Sequence, residues 1–283
     1  MVNKKRLIAF ILLLLIVVFG TILVVENKNI ELNKFEVSSR DLPKEFEGFR
    51  LAHVSDLHNA EFGEDNSKLI KILKDAKPDI IAITGDIIDS RRTDIDISLK
   101  FINQALKIAP CYYVSGNHEA RISEYDILKE KMIKAGVTVL ENQSSVITRS
   151  NSDIKIIGIN DPSFNSDYLL DDEEFIIESQ LKKVAQHKDD FTVLLSHRPE
   201  FFELYTDYEI DLVLSGHAHG GQFVLPFLGG LVAPGQGFFP EYDSGLYLED
   251  DTKMVVSRGI GNSIIPLRVN NRPEVILIEL HSE

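Results

Sequence analysis

The chain has 283 residues, 44% of them hydrophobic, and a formal net charge of −14 from 30 basic and 44 acidic side chains. This length and composition suit one large or two small folded domains and exclude a disordered or low-complexity chain. The acidic balance disfavours non-specific binding to a phosphate backbone, so no nucleic-acid partner is expected. Cys111 is the only cysteine, which excludes an intrachain disulfide.

The N-terminal segment predicts a membrane anchor. Residues 1–6 carry three basic and no acidic side chains, and residues 7–25 form a run of 19 residues without a charge. A helix of that length reaches across the hydrocarbon core of a bilayer. A cleaved signal peptide is the alternative, but its apolar region is normally shorter and residues 24–27 offer no small-residue cleavage site.

The basic residues before the apolar run set the expected orientation. By the positive-inside rule, residues 1–6 are a cytoplasmic N-terminus and residues 7–25 are a single transmembrane signal anchor. The protein is then expected in the cell membrane, with its folded body on the extracytoplasmic side. Residues 26–45 are expected to be a short tether or a first edge strand, and residues 46–283 the folded domain.

Apolar runs of strand and helix spacing alternate along residues 46–283. Strands are predicted at 50–55, 79–84, 111–115, 191–195 and 211–215, and helices at 65–76, 95–108 and 173–186. A hairpin at 145–149 and 154–159 and further strands near 246–248, 254–257 and 275–280 complete the pattern. This mixture predicts an α/β fold in which two packed mixed β-sheets are flanked by helices, a four-layer αββα sandwich.

Five acid or histidine motifs directly follow predicted strands. They are Asp56-x-His58, Gly85-Asp86-x-x-Asp89, Gly116-Asn117-His118-Glu119, His197 and Gly216-His217-x-His219. Each motif alone is a weak signal, because a lone buried histidine is more often a hydrogen-bonded core residue. Loops at one edge of a sheet converge, however, so the five together predict one site.

The residue types of these motifs indicate a metal site. A mixture of carboxylate, amide and imidazole ligands suits manganese, iron or zinc better than calcium or magnesium. The candidate ligands are also too many for one ion. Two divalent metal ions that share a bridging carboxylate are therefore expected.

The five motifs, in this order, resemble those of the calcineurin-like metallophosphoesterase family. The resemblance spans about 160 residues, and each signature position is filled. Gly220-Gly221-Gln222 and the segment 257–261 are similar to the membrane-associated bacterial branch of that family. This branch includes broad phosphodiesterases and a UDP-2,3-diacylglucosamine pyrophosphatase.

The resemblance implies a role for each position. Asp56, His58 and His219 would bind one metal ion. Asn117, His197 and His217 would bind the other, and Asp86 would bridge the two. His118 would protonate the leaving oxygen, with Asp89 orienting its imidazole. The implied activity is hydrolysis of a phosphoric ester.

One departure concerns the phosphate-binding arginine. Protein phosphatases of the family have an arginine directly after the second aspartate of the Gly-Asp motif, whereas Ser90 stands here and Arg91 follows. Protein phosphatase activity is therefore not favoured. Arg91 or Arg258 is the candidate substrate-binding residue, against the alternative of a solvated surface arginine.

The segment 223–239 suggests the kind of substrate. It contains nine large apolar residues, two prolines and four glycines without a charge, which argues against a regular helix or a long strand. It is either a loop packed on the second sheet or a loop that dips into the bilayer interface beside the site. The second reading favours a lipid-linked or membrane-proximal phosphodiester or pyrophosphate. A soluble nucleotide or cyclic-nucleotide phosphodiesterase and a non-catalytic, membrane-anchored metal-binding module are the alternatives.

Overall fold

The computed structural model describes residues 4–165, 172–185, 191–262 and 265–283. The helices are α1 Lys4–Lys28, α2 Ser67–Ala76, α3 Ile95–Ala105, α4 Tyr125–Ala135, α5 Glu173–Val184 and α6 Phe202–Asp207. The last residue of the helix predicted at 173–186 lies outside the described residues.

The strands fall close to the predicted positions. They are β1 Glu31–Ser39, β2 Phe49–Val54, β3 Ile80–Thr84, β4 Cys111–Val114, β5 Thr138–Val139, β6 Gln143–Arg149, β7 Ser152–Gly158, β8 Thr192–Leu195, β9 Leu212–Ser215, β10 Val224–Leu225, β11 Gly229–Gly230, β12 Val232–Ala233, β13 Gly237–Phe238, β14 Gly245–Glu249, β15 Thr252–Val256 and β16 Glu274–Ser282.

Two six-stranded mixed sheets form the centre of the molecule. The first has the order β1-β16-β2-β3-β4-β5, and the second has the order β14-β15-β9-β8-β7-β6. The strands β2, β3 and β4 run parallel to one another, as do β7, β8 and β9. The carboxyl ends of these strands therefore meet at one edge of each sheet.

The buried apolar residues form three clusters that hold the two sheets and the helices together. Alternate side chains of both sheets, such as Leu51, Leu195 and Leu214, share one buried cluster between the sheets. A second cluster packs α2, α3 and α4 on the outer face of the first sheet. A third packs α5 and α6 on the outer face of the second. The predicted αββα sandwich is thus confirmed.

The N-terminal helix continues almost directly into the first sheet. Within the described residues, one helix is long and apolar enough to cross a membrane, the 22 residues Leu7–Lys28. Only Asn29 and Ile30 separate the end of α1 from β1, which pairs in parallel with β16 along its whole length. The expected tether at 26–45 therefore contains an edge strand, and the sheet begins at Glu31.

The apolar segment 223–239 forms neither a helix nor a long strand, as predicted. It folds into two small hairpins, β10 with β11 and β12 with β13. Phe227, Leu228, Phe238 and Phe239 are exposed on this segment.

Candidate metal centre

Each of the five motifs begins within two residues of a strand's carboxyl end. Asp56 follows β2, Asp86 follows β3, Asn117 follows β4, His197 follows β8 and His217 follows β9. All seven predicted metal ligands are at least 95% buried. The loops bring six of them together into two clusters, and His118 forms a third such group with His58 and Asp86.

The first cluster contains Asp56, His58 and His219. Nε2 of His219 lies 3.3 Å from Oδ1 of Asp56 and 3.1 Å from Nε2 of His58. Three candidate ligand atoms thus lie close together, two from the loop after β2 and one from the loop after β9.

The second cluster contains Asp86, His197 and His217. Nε2 of His197 lies 3.3 Å from Oδ2 of Asp86 and 3.1 Å from Nδ1 of His217. The same Asp86 oxygen lies 3.6 Å from Nε2 of His58 in the first cluster. One carboxylate therefore stands between the two clusters.

The chemistry of these groups fits divalent cations. Oδ1 of Asp56 and Oδ1 of Asn117 are buried and have no hydrogen-bond partner within the described residues, a costly state for an acceptor unless a cation satisfies it. Burial alone would raise the pKa of Asp56 and Asp86, but the surrounding histidines lower it below its usual range. Both carboxylates are therefore ionised and available as ligands.

The histidines also present suitable ligand atoms. Burial lowers the pKa of His219 to about 3, so its ring is neutral near pH 7. Nδ1 of His197 donates to the carbonyl oxygen of Thr84 at 2.7 Å. A carbonyl can only accept, so Nε2, which faces Asp86, is the atom of His197 that could bind a metal ion. Burial would lower the pKa of His197, but the carboxylate of Asp86 raises it to about 10. A cation would therefore have to displace the proton on Nε2.

His118 lies beside the clusters, but its ring is held differently from the expectation. Nδ1 accepts from the backbone N–H of Ser90 at 3.0 Å, whereas Oδ1 of Asp89 is 3.6 Å away, beyond hydrogen-bond range. The oxygens of Asp89 instead accept from Arg91 and Arg92. An amide N–H can only donate, so the neutral ring of His118 carries its proton on Nε2. Burial lowers the pKa of His118 to about 4.

The two candidate substrate-binding arginines differ in their contacts. Arg91 makes a two-point contact with Asp89, at 3.0 and 3.1 Å, and its side chain is 40% exposed. Arg258 is paired with Glu31 at 3.0 Å and with Glu274 at 2.9 Å. Its guanidinium is therefore committed to two carboxylates.

Close backbone approaches hold the ligand loops in place. The carboxylate of Glu119, fully buried, accepts from the N–H groups of Asp86 and Gly116 at 2.8 and 2.7 Å. A Cβ at Gly116 would collide with the side chain and backbone of Asp86. Glycine is therefore required in this turn.

Sequence reasoning missed a set of supporting residues, because no motif signals them. Ser90 fixes His118, and Arg268 and Asn271 contact the loop of His219. The latter two follow a strand by more than ten residues and approach the site only through the tertiary fold.

Comparison with known proteins shows the family to which the chain belongs. The chain belongs to the calcineurin-like phosphoesterase family, whose profile matches residues 49–221. The metallophosphoesterase YkuE of Bacillus subtilis is 32% identical over 93% of this chain and 90% of its own. Phosphodiesterase YaeI of Escherichia coli is 29% identical over 82% of each chain. The fold resembles that of TT1561 of Thermus thermophilus, with a TM-score of 0.53 and 16% identity over 75% of this chain and 90% of that one.

Family membership confirms the prediction that the protein is a hydrolase acting on phosphoric ester bonds.

Proposed function

We propose that the protein is a phosphodiesterase or pyrophosphatase that uses two divalent metal ions and acts on a lipid-linked or membrane-proximal substrate. The observation that carries the proposal is the pair of buried ligand clusters with Asp86 between them, since one oxygen of Asp86 lies 3.3 Å from His197 and 3.6 Å from His58. Such a pair is the arrangement that two-metal phosphoryl hydrolysis requires.

Six of the ligands divide between the ions according to the clusters, and Asn117 is assigned by its position in the family motif. Asp56, His58 and His219 would hold one ion. Asn117, His197 and His217 would hold the other, with Asp86 between them. Manganese, iron or zinc fits this donor set. When bound, the ions supply a hydroxide at neutral pH and neutralise charge on the phosphoryl oxygens.

The remaining side chains would act on the substrate. His118 offers its Nε2–H to the leaving oxygen, and Ser90 keeps the ring in that tautomer. Asp89 stabilises the loop by binding Arg91 and adds negative charge near His118. Of the two candidate phosphate-binding residues, Arg91 is the better one, because Arg258 is held by two carboxylates.

Two features support a membrane location. The helix α1 is long and apolar enough to span a bilayer, and its exposed side chains include residues 7–8 and 10–18. The exposed phenylalanines of the segment 223–239 form a second apolar surface, and such surfaces commonly bind membranes. We infer an uncleaved anchor with an extracytoplasmic catalytic domain. A soluble nucleotide would give no reason for either feature.

The test is hydrolysis of bis-p-nitrophenyl phosphate by the full chain in detergent micelles, first stripped of metal and then supplied with manganese, iron(II), zinc or magnesium. Activity should return with a transition metal and be lost in Asp86→Asn and His118→Asn. His281→Asn is the control, since its ring contacts Glu47 and belongs to neither cluster. Two bound ions without turnover of any phosphodiester or pyrophosphate would contradict the proposal and favour a binding role.

A further inference from the structure

The last turn of α1 contacts the segment 268–272. The side chain of Asn27 pairs with both backbone groups of Arg268: Nδ2 donates to the carbonyl oxygen, and Oδ1 accepts from the N–H, each at 2.9 Å. The contact satisfies both backbone hydrogen-bonding groups of residue 268, as a neighbouring strand would. It therefore fixes the backbone of residue 268 relative to the helix.

The next residues along the chain strengthen this junction. Oε1 of Glu31, the first residue of β1, accepts from Arg272 at 2.9 Å. Oε2 of the same side chain accepts from Arg258 at 3.0 Å. Both ends of the segment 268–272 are therefore tied to residues 27–31.

The side chain of Arg268 extends from this junction to the metal centre. It is 99% buried and has no ion-pair partner within the described residues. Its N–H groups donate to the carbonyl oxygens of Arg258 and Gly261 and to Oδ1 of Asn262. Its Nη2 lies 3.3 Å from Nδ1 of His219, at the ring edge opposite the ligand atom Nε2. The guanidinium thus packs against the back of a proposed metal ligand.

Asn271 holds the same ligand by its backbone. It is fully buried, and its Nδ2 donates to the carbonyl oxygens of His219 at 2.7 Å and of Gln222 at 3.2 Å. The segment 268–272 therefore contacts His219 at its ring and at its main chain. No comparable contact joins α1 to His197 or His217 within the described residues.

We propose that the last turn of the anchor helix positions one metal ligand: Asn27 fixes the segment 268–272, and Arg268 and Asn271 then set the place of His219. The inference rests on the proposed role of His219 as a ligand. It makes the anchor a part of the metal centre as well as an attachment to the membrane. Loss of an outer partner of a ligand typically weakens metal binding by about 10- to 100-fold.

The experiment titrates the metal-stripped full chain in detergent micelles with Co²⁺, whose visible absorption reports both affinity and ligand geometry. Asn27→Ala should lower the affinity for one of the two Co²⁺ ions by about 10-fold and change the visible absorption of that ion. The affinity for the other ion should be unaffected. Arg268→Ala should produce the same asymmetric loss, partly restored by Arg268→Lys. Asn29→Ala is the matched control, since this exposed residue lies in the link between α1 and β1.

A loss of affinity for only one ion indicates that Asn27 positions His219. General destabilisation of the protein would instead lower the affinity for both ions alike. Equal weakening, or wild-type affinity for both ions in Asn27→Ala, would overturn the inference. If Asn27→Ala does not fold, the same titration is made with Asn27→Asp and judged by the same outcomes. This variant keeps the acceptor for the Arg268 N–H and loses only the donor. If the wild-type chain binds no Co²⁺, the proposed metal centre is wrong, and this inference is wrong with it.

Discussion

The carboxylate of Asp86 contacts both His197, a proposed metal ligand, and His118. Its Oδ1 accepts from the backbone N–H of His118 at 2.7 Å, and its Oδ2 lies 3.3 Å from Nε2 of His197. A single side chain therefore sets the distance between the ligand clusters and the proposed proton donor.

Substitution of Asp86 should consequently affect binding and chemistry together. We expect Asp86→Asn to lose bound metal and to lower kcat/KM by more than the roughly 100-fold that loss of an outer partner costs. Metal content after dialysis and kcat/KM for bis-p-nitrophenyl phosphate measure the two effects. A variant that keeps both ions and near-normal activity would show that Asp86 bridges nothing.

Arg91 and Arg92 allow a matched test of phosphate binding, because both contact Asp89. We expect Arg91→Ala to raise KM by roughly 10-fold, with a smaller change in kcat. A roughly 10-fold effect corresponds to the free energy of one hydrogen bond to a charged group. Arg92→Ala and Arg258→Ala should leave KM unchanged. Unchanged KM and kcat in Arg91→Ala would remove Arg91 from the site.

The absence of tryptophan from the chain allows a direct test of membrane contact. A tryptophan in place of Phe227 or Phe239 would be the only one in the protein. In phosphatidylglycerol vesicles, its emission should shift to shorter wavelength and be quenched by brominated lipid chains. Phe175→Trp, at an exposed position of α5, is the control. Emission at 227 and 239 that matches that at 175 would place the segment 223–239 in water.

The buried ion pair of Asp161 and Arg198 should be important for stability. Nε of Arg198 lies 2.6 Å from Oδ2 of Asp161, and both residues are at least 95% buried. Asp161→Ala leaves the guanidinium without its main partner and should lower the free energy of unfolding by about 3–5 kcal/mol. Lys182→Ala, which removes an exposed pair with Glu178, should cost under about 1 kcal/mol. Urea unfolding in micelles measures both, and equal losses would contradict the assignment.

His53 should make the metal-free protein sensitive to acid. Burial lowers its pKa to about 3, below the ordinary value of 6.5. Its contribution to stability is therefore present above pH 6.5 and is lost as the pH falls towards 3, by up to about 1.4 kcal/mol per pH unit. His53→Gln, which does not titrate, should show a shallower fall in unfolding free energy between pH 7.5 and 5. Parallel curves would show that the pKa of His53 is the same in the folded and unfolded states.

The sequence indicated the candidate metal ligands but not the residues that hold them in place, and the reason is physical. The ligands follow apolar strands, and strand periodicity is a local property that residues 50–55 or 211–215 display on their own. The contacts of Ser90 and Arg268 depend on loops that meet only after folding. Pairing of Glu31–Ser39 with Glu274–Ser282 joins segments more than 230 residues apart, and no local pattern indicates it.

The short connection between α1 and β1 limits the reach of the enzyme. Two residues extend over about 7 Å at most, so the catalytic domain cannot swing away from the end of its own helix. With α1 in a bilayer, the domain would travel with that helix and meet substrates by lateral diffusion. Its range would then be a layer one domain deep along the membrane, and phosphoesters in free solution would be reached only when they enter that layer.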